Sequence, residues 1–198
     1  MKNIYFELIT NKEQWKIAKN IVEHHHSYVP NLRTVGRHID FLLKDDNNYI
    51  GFIGIGSATY PPCKDVLNYL NCSKNEYKDM FNNIANNWRY CLIDNTHNVG
   101  TYVLSRFRQY SKYYWKQKYG NELKYIMTFV GEGHDGAMYK ADNWSLIGST
   151  SGIKAHKSFS MKWNKDNLNE LFVREKDEKL KKLIFIKDLS KTKENHLN

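Results

Sequence analysis

The sequence predicts an α/β (α+β) protein, with strands and helices mixed along one chain and a central β-sheet flanked by helices. Segments of strand-like and helix-like periodicity follow one another in the order strand, helix, two strands, helices, strand, long helix, strand, short helix and strand. Residues 124–152 hold the last three of these elements around a glycine-rich loop, an arrangement that builds binding sites. A chain of 198 residues fits one domain, or one domain with a tail.

The N-terminal part predicts a strand, a helix and a hairpin. Residues 4–9 are rich in strand formers, and Asn11 is placed to cap an amphipathic helix over residues 12–25. Residues 35–43 and 49–55 are predicted strands, because the Asp-Asp-Asn-Asn sequence between them strongly favours a turn.

The central part predicts helical structure, a strand and a long helix. Periodic apolar residues indicate helix over residues 63–85, and residues 88–93 form a strand that contains Arg89. A buried arginine needs an anionic partner, whereas an exposed one needs none, and both placements are open. Residues 99–118 form the long helix. A basic stripe at i, i+4 and i+8 lies on this helix: Arg108, Lys112 and Lys116.

Residues 124–152 are predicted to form a strand over residues 125–130, a short helix over residues 137–143 and a strand over residues 144–148. The short helix contains Tyr139. The loop before it holds three polar side chains suited to chemistry: Glu132, His134 and Asp135. The alternative is a polar connection between two core strands.

The charge balance favours an acidic partner. Lys and Arg outnumber Asp and Glu by 30 to 21, which gives a net charge of +9 and favours nucleic acid over an anionic membrane. Basic and aromatic residues also alternate after residue 152, a pattern that suits phosphate contact with base stacking or an amphipathic edge strand. Solubility alone is the other explanation of the charge. The predicted DNA contacts are Arg108, Lys112, Lys116, Lys154, Lys157 and Lys162.

The remaining C-terminal segments predict a solvated helix over residues 174–182 and a terminal strand over residues 183–186. Three cysteines without CxxC spacing indicate reduced thiols, as in a cytoplasmic protein. The N-terminus does not resemble a signal peptide, and no apolar run reaches the length of a membrane span.

Three adjacent histidines, His24, His25 and His26, end the first predicted helix. They cannot share one helical face, so at least one faces solvent or lies beyond the helix end. Imidazoles suit proton transfer or metal binding near neutral pH, but this spacing fits no metal site well, and a metal is neither predicted nor excluded. Solvated imidazoles at a polar helix end are the alternative.

The start of the long helix is a candidate anion site, because a strand and a glycine-containing loop lead into a helix N-terminus. Three residues would supply backbone N–H groups there: Asn98, Gly100 and Thr101.

The order of elements is similar to that of the GNAT acyltransferase fold, which implies a central mixed, mostly antiparallel sheet flanked by helices. The resemblance implies acetyl-CoA or another acyl or aminoacyl donor, with its pyrophosphate at the start of the long helix. The usual Arg/Gln-x-x-Gly-x-Gly/Ala loop is not present, and residues 97–101 replace it in part. On this basis residues 1–152 form a GNAT-like catalytic domain, and residues 153–198 form a basic C-terminal extension that packs on the domain or trails it.

Several motifs resemble two related families, the Mom-type phage DNA modification proteins and the DruA proteins of the Druantia anti-phage system. Residues 23–27, Glu-His-His-His-Ser, are similar to a His-His-Tyr-Ser motif, in which His26 replaces the tyrosine. Residues 87–90, Asn-Trp-Arg-Tyr, are similar to an arginine-bearing strand. The most specific similarity lies in the closing motif, which spans residues 128–130, 136, 139–141, 143–144 and 148–152.

The resemblance implies an enzyme that modifies the N6 amine of adenine in DNA by Mom-like methylcarbamoylation, which protects phage DNA against restriction in the host cytoplasm. The family's acidic residue is replaced by Gly131, so Glu132 or Asp135 takes its place. The implied catalytic residues are His25, His26, Ser27, Arg89, Glu132 and Tyr139. Two alternatives are a DruA-like DNA-binding module without catalysis and a GNAT N-acyltransferase that acts on another amine.

Overall fold

The computed structural model describes residues 4–26, 36–93, 98–131, 133–154 and 175–190, together with residues 32 and 192. The described elements are β1 (Ile4–Leu8), α1 (Lys12–His25), β2 (His38–Asp45), β3 (Asn48–Ser57), α2 (Lys64–Leu70), α3 (Lys74–Met80), β4 (Ile84–Leu92), α4 (Val99–Tyr119), β5 (Tyr125–Val130), α5 (Ala137–Ala141), β6 (Ser145–Ser149), β7 (Ile153–Lys154), β8 (Glu175–Lys176) and β9 (Leu183–Asp188).

Seven of these strands form one mixed sheet in the order β1-β2-β3-β4-β5-β9-β6. Strands β4 and β5 are parallel, and every other neighbouring pair in this sheet is antiparallel. The predicted mixed, mostly antiparallel sheet is therefore confirmed. Strands β7 and β8 form a separate two-stranded sheet.

Helices cover both faces of the large sheet. Helix α1 buries Ala18, Ile21 and Val22 against Leu42 and Phe52 on one face. Its predicted start is confirmed, because the Asn11 side chain accepts a hydrogen bond from the backbone N–H of Gln14. Helix α4 covers the other face in the largest apolar cluster, which contains Val103, Phe107, Phe41, Ile53 and Ile55.

The parallel strands β4 and β5 pair over a short segment and then diverge. Its register covers three residue pairs, from Ile84 with Tyr125 to Asn86 with Met127. Where β4 continues beyond this paired segment it carries a bulge, because Gly54 and Ile55 of β3 pair with Arg89 and Asn87, and Trp88 is the extra residue. The separation and the bulge lie side by side, and the candidate site occupies this part of the sheet.

The helical structure predicted over residues 63–85 forms as two helices, and the chain enters β4 at Ile84. Helix α2 ends at Asn71, which adopts a left-handed conformation with φ of 48°. Helix α3 then begins at a capping box between Ser73 and Glu76. Local capping breaks the helix here, although the apolar periodicity continues through both halves.

The terminal strand predicted over residues 183–186 is confirmed as β9. Residues 183–188 pair with β5 on one side and β6 on the other. Ile184, Phe185 and Ile186 are fully buried, so the C-terminal segment supplies a core strand. The helix expected over residues 174–182 is wrong, because strand β8 and a 3-10 turn at Glu178–Leu180 occupy its described part.

Candidate active site

A cavity of about 400 Å³ opens where β4 and β5 separate. The end of α1, the two strands and the loop that leads into α5 form its walls. Four of the predicted catalytic residues line this cavity: His25, His26, Arg89 and Tyr139. Ser27 and Glu132 lie outside the described residues. His134, a candidate of the loop before α5, also lines the cavity, as do three residues outside the predicted catalytic set: Asn87, Trp88 and Thr128.

The bulge in β4 positions Arg89. The Arg89 Nη1 atom donates a 2.7 Å hydrogen bond to the backbone oxygen of Trp88. Its guanidinium carbon lies 5.5 Å from the centre of the Trp88 ring, a cation–π contact. The Trp88 indole N–H in turn donates a 3.1 Å hydrogen bond to Asp40 Oδ1. The tryptophan thus connects Arg89 to a buried carboxylate on β2.

His26 is the inward member of the histidine run. Its backbone N–H closes α1 through a 3.0 Å hydrogen bond to the oxygen of Val22, whereas His24 and His25 are exposed. Burial, with smaller contributions from Arg89 and His134, lowers the pKa of His26 to about 4. The imidazole is therefore neutral at neutral pH, which is the form that can act as a base.

Tyr139 is held by an amide network beneath the cavity. Its hydroxyl donates a 2.9 Å hydrogen bond to Asn87 Oδ1, and Asn87 Nδ2 donates to the backbone oxygens of Gly54 and Arg89 at 2.8 and 3.1 Å. The Thr128 hydroxyl donates to the Asn87 backbone oxygen at 3.0 Å. This network ties α5, β3, β4 and β5 together at the point where the sheet divides.

The Tyr139 ring packs against two aromatic side chains. It stacks on Phe185 at 5.7 Å and meets Trp144 edge-on at 5.1 Å. Gly136, just before α5, has a φ of 72°, and a Cβ there would lie 2.4 Å from the Phe185 ring. Glycine at this position therefore allows the helix to approach β9 and fixes the tyrosine over the sheet.

The Asp135 side chain caps the start of α5. Its carboxylate accepts hydrogen bonds from the Ala137 backbone N–H at 2.9 Å and from Lys140 Nζ at 3.2 Å. The bond from Ala137, followed by that from Lys140, lowers the pKa of Asp135 below its usual value. The side chain is exposed and ionised, which suits a helix cap better than a proton acceptor.

The first turn of α4 is the predicted anion site. The Asn98 side chain makes no capping hydrogen bond, which is compatible with a role for the turn's N–H groups in anion binding. Gly100 is explained by packing, because a Cβ there would lie 2.4 Å from Met138 Sδ. The Gly100 backbone oxygen accepts a 3.0 Å hydrogen bond from Tyr90, and the Thr101 hydroxyl donates to the Asn98 oxygen at 3.1 Å.

The basic stripe on α4 is not an exposed surface. Arg108 forms an ion pair with Asp142, and their side chains are 15% and 8% exposed. Lys112 is also 8% exposed, and its Nζ atom donates to the Thr192 backbone oxygen at 3.3 Å. Lys116 is the exposed member. Two of the three charges point into the protein, because α5 and the C-terminal segment cover this side of the helix.

The other predicted DNA contacts lie beyond the described part of the chain: Lys157, Lys162 and the side chain of Lys154. Within the described residues, no three His, Cys, Asp or Glu side chains group as ligands for a metal ion. No helix among the described elements is both long and apolar enough to cross a membrane.

The sheet order, the parallel β4–β5 pair and the flanking helices define a GNAT-like α/β fold. Solved structures share this fold. An N-acyl amino acid synthase, FeeM, from uncultured soil microbes is 9% identical with a TM-score of 0.56, covering 96% of this chain and 92% of that one. NAA60 of Arabidopsis thaliana in complex with acetyl-CoA is 10% identical with a TM-score of 0.57, covering 94% and 99%. An N-acetyltransferase from Staphylococcus aureus Mu50 is 10% identical with a TM-score of 0.54, covering 94% and 98%.

The sequence assigns the chain to one protein family within this fold. The family described as Druantia protein DruA matches residues 3–170. This chain belongs to the DruA family. A search of curated proteins finds no match.

Proposed function

We propose that this DruA-family chain is a group-transfer enzyme that attaches an acyl-type group to an amine in the cavity, and that the amine is N6 of adenine in DNA. The main support is the convergence of His26, Arg89 and Tyr139 on one cavity where β4 and β5 separate. The resemblance of several motifs to those of Mom-type proteins favours methylcarbamoylation as the modification, with protection of phage DNA against restriction as its purpose.

The shared fold supports an activated acyl donor of the coenzyme A type, because the NAA60 structure contains acetyl-CoA. In this chain the first turn of α4 fits the phosphates of such a donor, since the Asn98 side chain leaves it uncapped. When bound, such a donor would supply an activated carbonyl carbon: its bond to the donor's thiol sulfur would break as the bond to the amine nitrogen forms, and the thiolate would leave and take up a proton.

The residues of the cavity have separate tasks in this proposal. The lone pair of the adenine N6 amine is delocalised into the ring, so bond formation needs a group that accepts the departing proton. His26, which is neutral at neutral pH, is the group that accepts this proton in the proposal. The Arg89 cation stabilises negative charge that develops on the transferred group. Tyr139 and Asn87 hold the wall against which the reacting groups lie.

A DNA acceptor requires that the base leave the stack, because N6 is not accessible to a cavity while the adenine is paired. The net charge of +9 supports a polyanionic substrate. Because Arg108 and Lys112 point inward, other cations must contact the DNA phosphates. Lys116 is an exposed cation on α4 that can do so.

Acceptor choice distinguishes this function from its alternatives. Purified protein is incubated with one radiolabelled donor, either acetyl-CoA or a glycine-derived or aminoacyl donor, and with one of three acceptors: single-stranded DNA, a peptide with a free amine, or an amino acid mixture. Label in DNA that is absent with Arg89→Ala supports the proposal. Label in the peptide or amino acids identifies a transferase for another amine. DNA binding with no label under any donor tested, including glycine-derived and aminoacyl donors, contradicts catalysis.

A further inference from the structure

A second cation, Lys182, lies at the start of β9, beside the end of β5 that lines the cavity. Lys182 directly precedes β9, in which Leu183 pairs with Val130 at the end of β5. The register therefore places Lys182 level with Gly131, next to the lining residues Phe129 and Val130. This segment lies outside the part of the sequence that predicted the site.

Strand alternation places the two cations on the same face of the sheet. Leu183 and Tyr90, the residues that follow Lys182 and Arg89, both pack against the cluster on the α4 side of the sheet. Lys182 and Arg89 therefore project from the opposite face, which α1 covers through Cys91 and its neighbours.

The backbone fixes Lys182 in this position. Its carbonyl oxygen accepts a 2.9 Å hydrogen bond from the Thr150 backbone N–H, and its own N–H donates to the Thr150 hydroxyl at 3.0 Å. Thr150 lies directly after β6, so the lysine is anchored to the sheet and not to a free loop.

The electrostatics of the residue agree with its placement. Burial, and secondarily the charge of Arg89, lowers the pKa of the Lys182 ammonium group. Arg89 and His134 act on His26 in the same way. Arg89 and Lys182 are thus two like charges that act on each other, and an anion that binds between them lowers the free energy of the protein. Asp135, the described carboxylate in the lining, is held by Lys140 and by the start of α5.

We propose that Arg89 and Lys182 form a subsite for an oxyanion, a phosphate or a carboxylate, carried by a molecule that enters the cavity. The planar guanidinium fork and the ammonium group together suit a tetrahedral or planar oxyanion. The group belongs either to the nucleotide that presents the acceptor amine or to an acidic donor. Its assignment as a substrate group rests on the proposed transfer function, whereas the binding itself does not.

Isothermal titration at low salt measures the binding directly. The probes are inorganic phosphate, acetate, and deoxyadenosine with and without its 5′-phosphate. The wild type is compared with Lys182→Met and with Lys179→Met, a matched loss of one charge at an exposed lysine nearby. Lys182→Met is expected to weaken oxyanion binding about tenfold, whereas Lys179→Met leaves it unchanged. Lys182→Gln is measured in parallel in case the methionine variant does not fold, and Lys182→Arg should restore binding.

The preference among probes identifies the source of the group. Tighter binding of the 5′-phosphorylated nucleoside, lost in Lys182→Met, assigns the subsite to the nucleotide, and tighter binding of acetate assigns it to the donor. Equal weakening in Lys179→Met and Lys182→Met, or no oxyanion binding by the folded wild type, overturns the inference. The titration contains no donor, so it tests the subsite independently of group transfer. If the protein binds phosphate but transfers no group, the proposed function is contradicted and the inferred subsite is retained.

Discussion

The Tyr139 hydroxyl donates a 2.9 Å hydrogen bond to Asn87 Oδ1 and so joins α5 to the strand that contains Arg89. Asn87 is 3% exposed and also donates to backbone oxygens of β3 and β4. A residue that borders the cavity therefore also holds the divided sheet together. Loss of activity on substitution of Tyr139 must be separated from loss of this support.

A double-mutant cycle measures the support. Tyr139→Phe removes the donor and leaves a buried amide oxygen without that bond, which costs about 1–2 kcal/mol of unfolding free energy. Asn87→Ala removes three side-chain hydrogen bonds and is expected to cost about 2–4 kcal/mol. The two changes share one bond, so urea unfolding of the double variant should reveal a coupling of about 1 kcal/mol. Strictly additive losses would show that the hydroxyl and the amide do not interact.

Arg108 is predicted to act on stability. Arg108→Met leaves the buried Asp142 carboxylate without its ion-pair partner and should lower the unfolding free energy by about 2–4 kcal/mol. Lys116→Met, on the exposed side of the same helix, should change it by less than about 0.5 kcal/mol. Thermal or urea denaturation of both variants checks this. An Arg108→Met protein as stable as the wild type would restore the interpretation of Arg108 as a solvent-facing cation.

His26 makes the stability depend on pH. Its pKa is about 4 when folded and about 6.5 when unfolded, so the unfolded chain takes up the proton first as the pH falls. The contribution is fully present above about pH 6.5 and is lost as the pH falls towards 4. After allowance for solvent screening, we expect a loss of about 1–2 kcal/mol.

Urea unfolding at pH 7.5, 5.5 and 4.5 measures this dependence as the difference between the wild type and His26→Gln. The wild type should lose stability relative to the variant as the pH falls. His24→Gln removes an exposed imidazole from the same helix end and serves as the control. A constant difference between the wild type and His26→Gln across the three pH values would contradict the burial of His26.

Local signals in the sequence predicted the elements that depend on local structure. The cap at Asn11, the turn between β2 and β3 and the periodicity of α4 each reside in neighbouring residues, and the corresponding elements form as expected. The broken helix between α2 and α3 was predictable in principle, because the capping box at Ser73 and Glu76 is visible in the sequence.

The parts that the sequence did not predict depend on distant neighbours. Strand β9 lies between β5 and β6, which no local pattern encodes, and this pairing brings Lys182 beside the end of β5. The network around Asn87 arises from the bulge at Trp88 and from the approach of α5. Periodicity placed Arg108 and Lys112 on one face of α4 but could not reveal that Asp142 and residue 192 cover it.

Mass spectrometry of nucleosides from the DNA of expressing cells tests the transfer to adenine. Cells producing the wild type, Arg89→Ala or Lys179→Met are compared, with each protein checked for soluble, folded expression. We expect a heavier deoxyadenosine species with the wild type and Lys179→Met, and only unmodified nucleosides with Arg89→Ala. Unmodified nucleosides from all three, or the same new species with Arg89→Ala, would contradict the assignment of the Arg89 cavity to DNA adenine modification.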